Sequence, residues 1–371
     1  MRTWSQLAVC VGVGAGAMAL GSVQAQELTG AGSSFAAPLY AAVSDQLGPK
    51  NKFSFTYASV GSSEGIKRIA EKSVDFGASD KPLSRKELAD RGLLQFPTAI
   101  GGLVVTANLP GVPVGQLKLD AAALGDVYLG KITRWDDPRL AALNPGTKLP
   151  PLAIKPVVRE SGSGSTYLFS NYLSRAYPHW HETIGVTTAL TMAGTVVAKG
   201  NSGVAQAVLA TPGALGYAEF GFMKGKNLPF VQLKNKYGTF VSANPESISA
   251  AVRGADWELM FIDTDPIFDV NTTDIACPGC WPMVGLTYVV VPRRWVDADK
   301  AGVFTRFLET LLTDGDPIAQ QEHYVPLPSK AKSLVRVSLR SQLQDKKGQR
   351  PKAQQNDADD AATRLMALAL P

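Results

Sequence analysis

Four short segments concentrate the residue types that handle an anion. TGAGSSFAAPLY, Thr29 to Tyr40, sets Ser34 and Phe35 after a glycine-rich turn and ahead of an apolar helix. VGSSEG, from Val60, puts Ser62 where a β-branched run meets a helical pattern, and DFGASDKPLS, from Asp75, leaves Asp80 at the end of a short strand. VVRESGSGST, from Val157, carries Arg159, then Ser163, Gly164 and Ser165, into a helical repeat. A strand, a glycine-rich turn and a helix start together aim several N–H groups at one point, with the helix dipole adding positive potential. Each segment also has a plain structural use. Serine caps helices, aspartate before a Lys-Pro turn closes the turn, and a Gly/Ser run is the composition of a flexible connector.

The carboxylate narrows the chemistry. Hydroxyls, backbone N–H groups and one guanidinium all donate to an anion, whereas Asp80 only accepts. A buried acceptor facing an oxygen without a proton leaves two negative groups unpaired, at a cost of several kcal/mol. The set therefore suits an oxyanion that carries a proton, such as hydrogen phosphate. It disfavours sulfate, because the wrong ligand leaves a buried group unsatisfied.

These residues need a scaffold that brings strand ends and helix starts together, and the rest of the chain supplies one. FSFTYASVG, VDFGASD, IKPVVR and LTYVVVPRRW read as strands; SSEGIKRIAEK, SRKELADRGL, LDAAALGDVYLG and AGVFTRFLETLLTDG read as helices. Ser62 or Ser63 is the expected cap of the helix that follows Gly61. FPTAIGGLVVTANL reads as a pair of strands and NSGVAQAVLATPGALGYAEF as helix, turn and strand. The alternation predicts an α/β fold with mostly parallel sheets, in which ligands bind at the strand ends. Trp135 is expected to be a packed loop anchor. From Gln342 the sequence turns polar and charged; QDKKGQRPKAQQNDADD, from Gln344, is expected to be mobile, and the short amphipathic segment DAATRLMALAL ends the chain.

The chain has 371 residues, enough for two domains, and its net charge of +5 comes from scattered Lys and Arg. No basic stripe interleaved with aromatics points to nucleic acid. Met1-Arg2, the apolar run LAVCVGVGAGAMAL and Val23-Gln24-Ala25 read as a secretory signal peptide over 1–25, with Cys10 lost in it. Export leaves Cys277 and Cys280 in ACPGCWPM, read as a local disulfide, with a redox-active pair as the alternative. The histidines, His179, His181 and His323, have no zinc-site spacing relative to this pair.

The ordered set TGAGSSFAAPLY, GSSEGIKRI, VDFGASDKPLS, QFPTAIGGLVV, LGDVYLGKITRWDDP, LNPG, VVRESGSGST, KGNSGVA and GALGYAEF resembles the periplasmic phosphate-binding proteins of phosphate ABC transporters. The match runs from Thr29 to Phe220 and resumes at GADW and LTYVVVP. The resemblance implies a two-lobed, type II periplasmic-binding-protein fold with a ligand cleft between lobes. Lobe I would be 26–107 with 283–352, lobe II 108–282, and 353–371 a flexible tail. It implies that Ser34, the backbone of Phe35, Ser62 and Asp80 hold phosphate from one lobe. Arg159, Ser163, Gly164 and Ser165 would hold it from the other. It further implies no cofactor or metal, no catalysis, a monomer, a periplasmic location, and membrane permease subunits as partners.

The chain departs from the family where Arg-x-Asp-Gly-Ser-Gly is usual: Ser161 replaces the aspartate, and Glu160 stands one residue earlier. Adjacent residues of an extended segment point to opposite sides, so Glu160 is a poor substitute. The stretch from Phe261 to Met283 is a further departure, read as an elaborated loop. The competing function is an exported serine hydrolase or phosphatase-like protein acting on phosphate esters. Gly61-Ser62-Ser63-Glu64-Gly65 fits G-x-S-x-G with Ser63 as nucleophile. That reading leaves Arg159, Asp80 and Ser34 without a role.

Overall fold

The β-branched runs become strands, and the longest of them organises the molecule. A computed structural model describes residues 27–113, 115–160, 162–224, 230–258 and 268–344. The expected signal peptide, the tail beyond 352 and Ser161 lie outside the described residues. In chain order the strands are β1 (Leu28–Gly32), β2 (Phe55–Ser59), β3 (Phe76–Ser79), β4 (Leu93–Ala107), β5 (Lys118–Leu119), β6 (Lys155–Arg159), β7 (Val196–Ala198), β8 (Ala214–Glu219), β9 (Gln232–Lys234), β10 (Phe240–Val241) and β11 (Val284–Pro292). An eight-stranded sheet runs β2-β1-β3-β11-β4-β8-β6-β7, and a small sheet runs β10-β9-β5. The flanks of the large sheet are parallel, β2-β1-β3 on one side and β8-β6-β7 on the other. Its centre, where β11 and β4 cross, is antiparallel.

The expected strand pair in FPTAIGGLVVTANL is instead one strand of 15 residues, β4, buried along its whole length. Gly101 and Gly102 do not turn the chain. They let side chains approach it: a Cβ on Gly101 would meet the Phe35 ring at 2.8 Å, and one on Gly102 would meet Ile248 at 2.6 Å. At this point β4 changes partners, pairing with β11 up to Gly102 and with β8 from Leu103. The chain returns alongside: Leu103 N donates to Met283 O (2.8 Å), and Trp281 Nε1 donates to Leu103 O (2.9 Å).

One apolar core runs through both halves, with an aromatic cluster in each. Around β1–β3, Phe53, Phe55, Phe76 and Tyr40 meet Phe304 and Phe307 of the helix Ala298–Asp314. Around β6 and β8, Phe169 stacks on Tyr217 at 4.2 Å, with Tyr128 and Trp180 against the same ring. Burying an aromatic ring of this kind contributes about 2–3 kcal/mol, so these clusters fix the sheets that carry the site. Trp135 is fully buried and donates to Gly213 O at 3.0 Å, the anchor expected of it. Cys277 and Cys280 are joined by a disulfide, and Asn235 Nδ2 donates to the carbonyls of Cys277, Pro278 and Cys280 around that loop. No helix among the described residues is long and apolar enough to cross a membrane.

Candidate functional site

Three strand ends from one half and one strand–helix junction from the other converge on a buried cluster. β1 delivers Ser33, Ser34 and Phe35; β3 delivers Asp80; β2 leads into the helix Ser62–Ala70. From the opposite half β6 ends in Arg159 and the helix Gly164–Ala176 begins. Ser34, Ser62, Asp80, Arg159, Ser163 and Ser165 are all buried, each 5% exposed or less.

The serines divide the work differently from the expectation. Neither Ser62 nor Ser63 caps its helix. The cap position is Gly61, at φ 95°, with no side-chain cap bond. Ser62 Oγ instead accepts from Asp80 N at 3.1 Å. Ser34 is not a cap either, since the following helix begins after Ala36 without one. Ser163 does cap, accepting from Thr166 N at 3.2 Å, which leaves its hydroxyl proton to donate. The Phe35 N–H is engaged by Ser33 Oγ at 2.9 Å.

Asp80 is held by neighbours that the motifs did not reveal. Its Oδ1 accepts from Ser33 Oγ (2.5 Å) and Thr287 Oγ1 (2.6 Å). Burial pushes its pKa up to about 6; hydrogen bonds from Ser33, Thr287 and Ser62 and the charge of Arg159 hold it back from going higher. Its Oδ2 faces the other half, where a Cβ on Gly164 would lie 2.3 Å away, and 2.3 Å from Ser62 Oγ. Only glycine fits there.

Arg159 supplies the positive charge. Its Nη2 donates to Ser34 Oγ at 3.2 Å across the cleft. Nε and Nη1 are buried and have no partner among the described residues. Burial lowers the pKa of this guanidinium, and Tyr217, Asp80 and Glu160 oppose that shift. Glu160 is exposed while Arg159 is buried, the alternation expected of adjacent residues in an extended segment. A polar crevice of about 120 Å³ reaches Asp80 along Tyr167, Asn171 and Arg175, but Arg159 does not line it.

Sequence reasoning missed Ser33, Thr287 and Glu219 and left Asn201 without a role. Asn201 Nδ2 donates to Ser34 Oγ at 3.0 Å, and its Oδ1 accepts from Ser165 Oγ (3.3 Å) and Glu219 N (3.1 Å). Glu219 is fully buried; its Oε2 accepts from Gly221 N at 2.9 Å, while Oε1 has no partner among the described residues. Ser63, the nucleophile of the competing reading, donates its backbone N–H to Gly162 O at 3.0 Å. The histidines are engaged elsewhere: His181 with Ser174, His179 beside Tyr177 and His323 against Phe220. No group of three or more metal-ligating side chains occurs among the described residues.

The chain matches the PBP superfamily domain over residues 19–309. It is 36% identical over 302 residues to the phosphate-binding protein PstS of Xylella fastidiosa, covering 81% of this chain and 82% of that one. It is 35% identical over 327 residues to the phosphate-binding protein PstS of Pasteurella multocida, covering 88% and 94%. This chain belongs to the PstS family of phosphate-binding proteins. Its fold is accordingly the two-lobed α/β fold of that family, as the resemblance implied. A high-affinity periplasmic phosphate-binding protein of known structure superposes with a TM-score of 0.69 at 22% identity, over 84% of this chain and 94% of that one. The phosphate-binding protein of Stenotrophomonas maltophilia gives 0.65, also at 22% identity, over 84% and 93%. The PstS family is a family of solute-binding proteins rather than a class of enzymes, so the hydrolase reading is set aside.

Proposed function

We propose that this protein binds hydrogen phosphate between its lobes and hands it to the membrane permease of a phosphate ABC transporter. The observation that carries the reading is Arg159, which keeps two buried donor nitrogens without a partner among the described residues beside Ser34 and Asp80. Buried donors of this kind are costly unless a ligand takes them. An oxyanion there meets Arg159 and Ser34, the Ser163 hydroxyl, and the N–H groups of Gly164 and Ser165 at a helix start, where no earlier turn can accept them. Asp80 Oδ2 accepts the one proton that hydrogen phosphate carries and sulfate lacks.

Lobe I in this reading is 26–107 with 283–352 and lobe II is 108–282, with β4 and the Trp281–Val284 return as the two crossings. The protein is a monomer, exported by cleavage near Gln26 and working in the periplasm without a cofactor. Closure brings Ser63 N to Gly162 O and Arg159 to Ser34, and presents both lobe surfaces to the permease. Equilibrium binding of radiolabelled phosphate to phosphate-stripped protein tests this. One phosphate per chain is expected, with a loss of about a hundredfold in Arg159→Lys, whose ammonium cannot replace a planar fork of donors. Full affinity in Arg159→Lys, or no binding by folded wild type, contradicts it.

A further inference from the structure

We propose that Asn201 is a positioning residue that latches the lobes through Ser34 and forces the Ser34 proton toward the ligand; this rests on the phosphate reading above. The argument is a count of donors and acceptors. Glu219 N is a backbone N–H and can only donate, so the Asn201 atom facing it at 3.1 Å must be the amide oxygen. The amide nitrogen then faces Ser34 Oγ at 3.0 Å and can only donate to it. Arg159 Nη2 also donates to Ser34 Oγ, at 3.2 Å. A hydroxyl has two acceptor positions and one proton. Both acceptor positions of Ser34 are filled from the opposite lobe, so the proton is its only remaining capacity.

Ser34 is thereby fixed as a donor, and only when the lobes are together. Asn201 is fully buried, and its oxygen is also held by Ser165 Oγ at 3.3 Å, so the amide is fastened at both ends. Asp80 remains the acceptor that meets the anion's proton. Without Asn201 the Ser34 hydroxyl regains an acceptor position, and its proton is free to turn away from the anion.

A double-mutant cycle tests the assignment. Phosphate dissociation constants are measured for wild type, Asn201→Ala, Ser34→Ala and the double variant, with the melting temperature of each ligand-free protein as a folding control. Asn201→Ala is expected to lose about tenfold. In the Ser34→Ala background the same change is expected to cost twofold or less, because Asn201 acts through Ser34. An equal loss in both backgrounds overturns the proposal and leaves Asn201 a packing residue. Should Asn201→Ala not fold, Asn201→Ser serves in the same cycle. It removes the amide donor to Ser34 and adds no charge beside the anion; non-additivity is again expected and additivity again overturns the assignment. Wild type that binds no phosphate overturns the phosphate reading and this assignment together, whereas tight wild-type binding with additive variants overturns this one alone.

Discussion

Gly164 stands so close to Asp80 across the cleft that a methyl carbon on the glycine would lie 2.3 Å from the carboxylate oxygen Oδ2. Real carbon–oxygen contacts are about an ångström longer, and the carboxylate cannot retreat because Ser33 and Thr287 hold its other oxygen. Gly164→Ala is therefore expected to block closure while leaving each lobe folded. Phosphate affinity should fall by a hundredfold or more, with the ligand-free melting temperature within a few degrees of wild type. A titration paired with a thermal melt checks this, and an unchanged affinity would contradict the closed geometry.

Asp80→Asn keeps the size of the side chain and lets its oxygen still accept from Ser33 and Thr287. It turns the group facing the anion from acceptor to donor. Phosphate affinity should drop about ten- to a hundredfold, the worth of a charge-assisted bond. Sulfate should lose less or gain. An unchanged phosphate-to-sulfate ratio sinks the argument that Asp80 reads the proton.

Glu219 sets a pH dependence of stability. Burial pushes its pKa from 4.5 up to about 8; Gly221 and Phe222 N–H groups resist the rise, while the charges of Glu322 and Asp80 add to it. Between those two values the folded chain holds a proton that the unfolded chain has released. The protonated carboxyl's contribution is complete below pH 4.5 and is lost as pH climbs through 8. Asp80 adds a smaller total fall of the same sign between its ordinary 3.8 and about 6. Melting temperatures of ligand-free protein should decline across that range, and Glu219→Gln should flatten the decline and melt higher at the alkaline end. A parallel fall in both proteins would rule out Glu219 as the source.

Reducing the Cys277–Cys280 disulfide removes a cross-link closing a very short loop, worth about 2 kcal/mol on chain-entropy grounds. Asn235 still gathers the three loop carbonyls. A lower melting temperature with unaltered phosphate affinity is expected in reductant. A large loss of affinity would instead tie the loop to closure.

The site was legible where chemistry follows from local sequence. Arg159, Ser163 and Gly164 sit at a strand–turn–helix junction whose pattern announces itself. Asp80 was legible because an acidic residue among donors demands a reason. Thr287 was not, because inside LTYVVVP a threonine is simply a good strand former; its hydroxyl matters only because β11 pairs with β3 over a separation of 207 residues. Ser33 was hidden beside Ser34, two identical residues whose partners are chosen by the turn after β1. FPTAIGGLVVTANL reads as two strands, whereas β4 is one, with Gly101 and Gly102 serving as a close-packing site inside it. Glu219 lies in GALGYAEF with nothing local to show that its carboxyl is buried.

The most direct test is calorimetric titration of phosphate-stripped mature protein with phosphate and then with sulfate at matched ionic strength. Saturation at one phosphate per chain, micromolar or tighter, with no measurable sulfate heat, is the predicted result. Absence of phosphate binding by a folded sample, or equal binding of both anions, would contradict a cleft built from Arg159, Ser34 and Asp80 to select the protonated oxyanion.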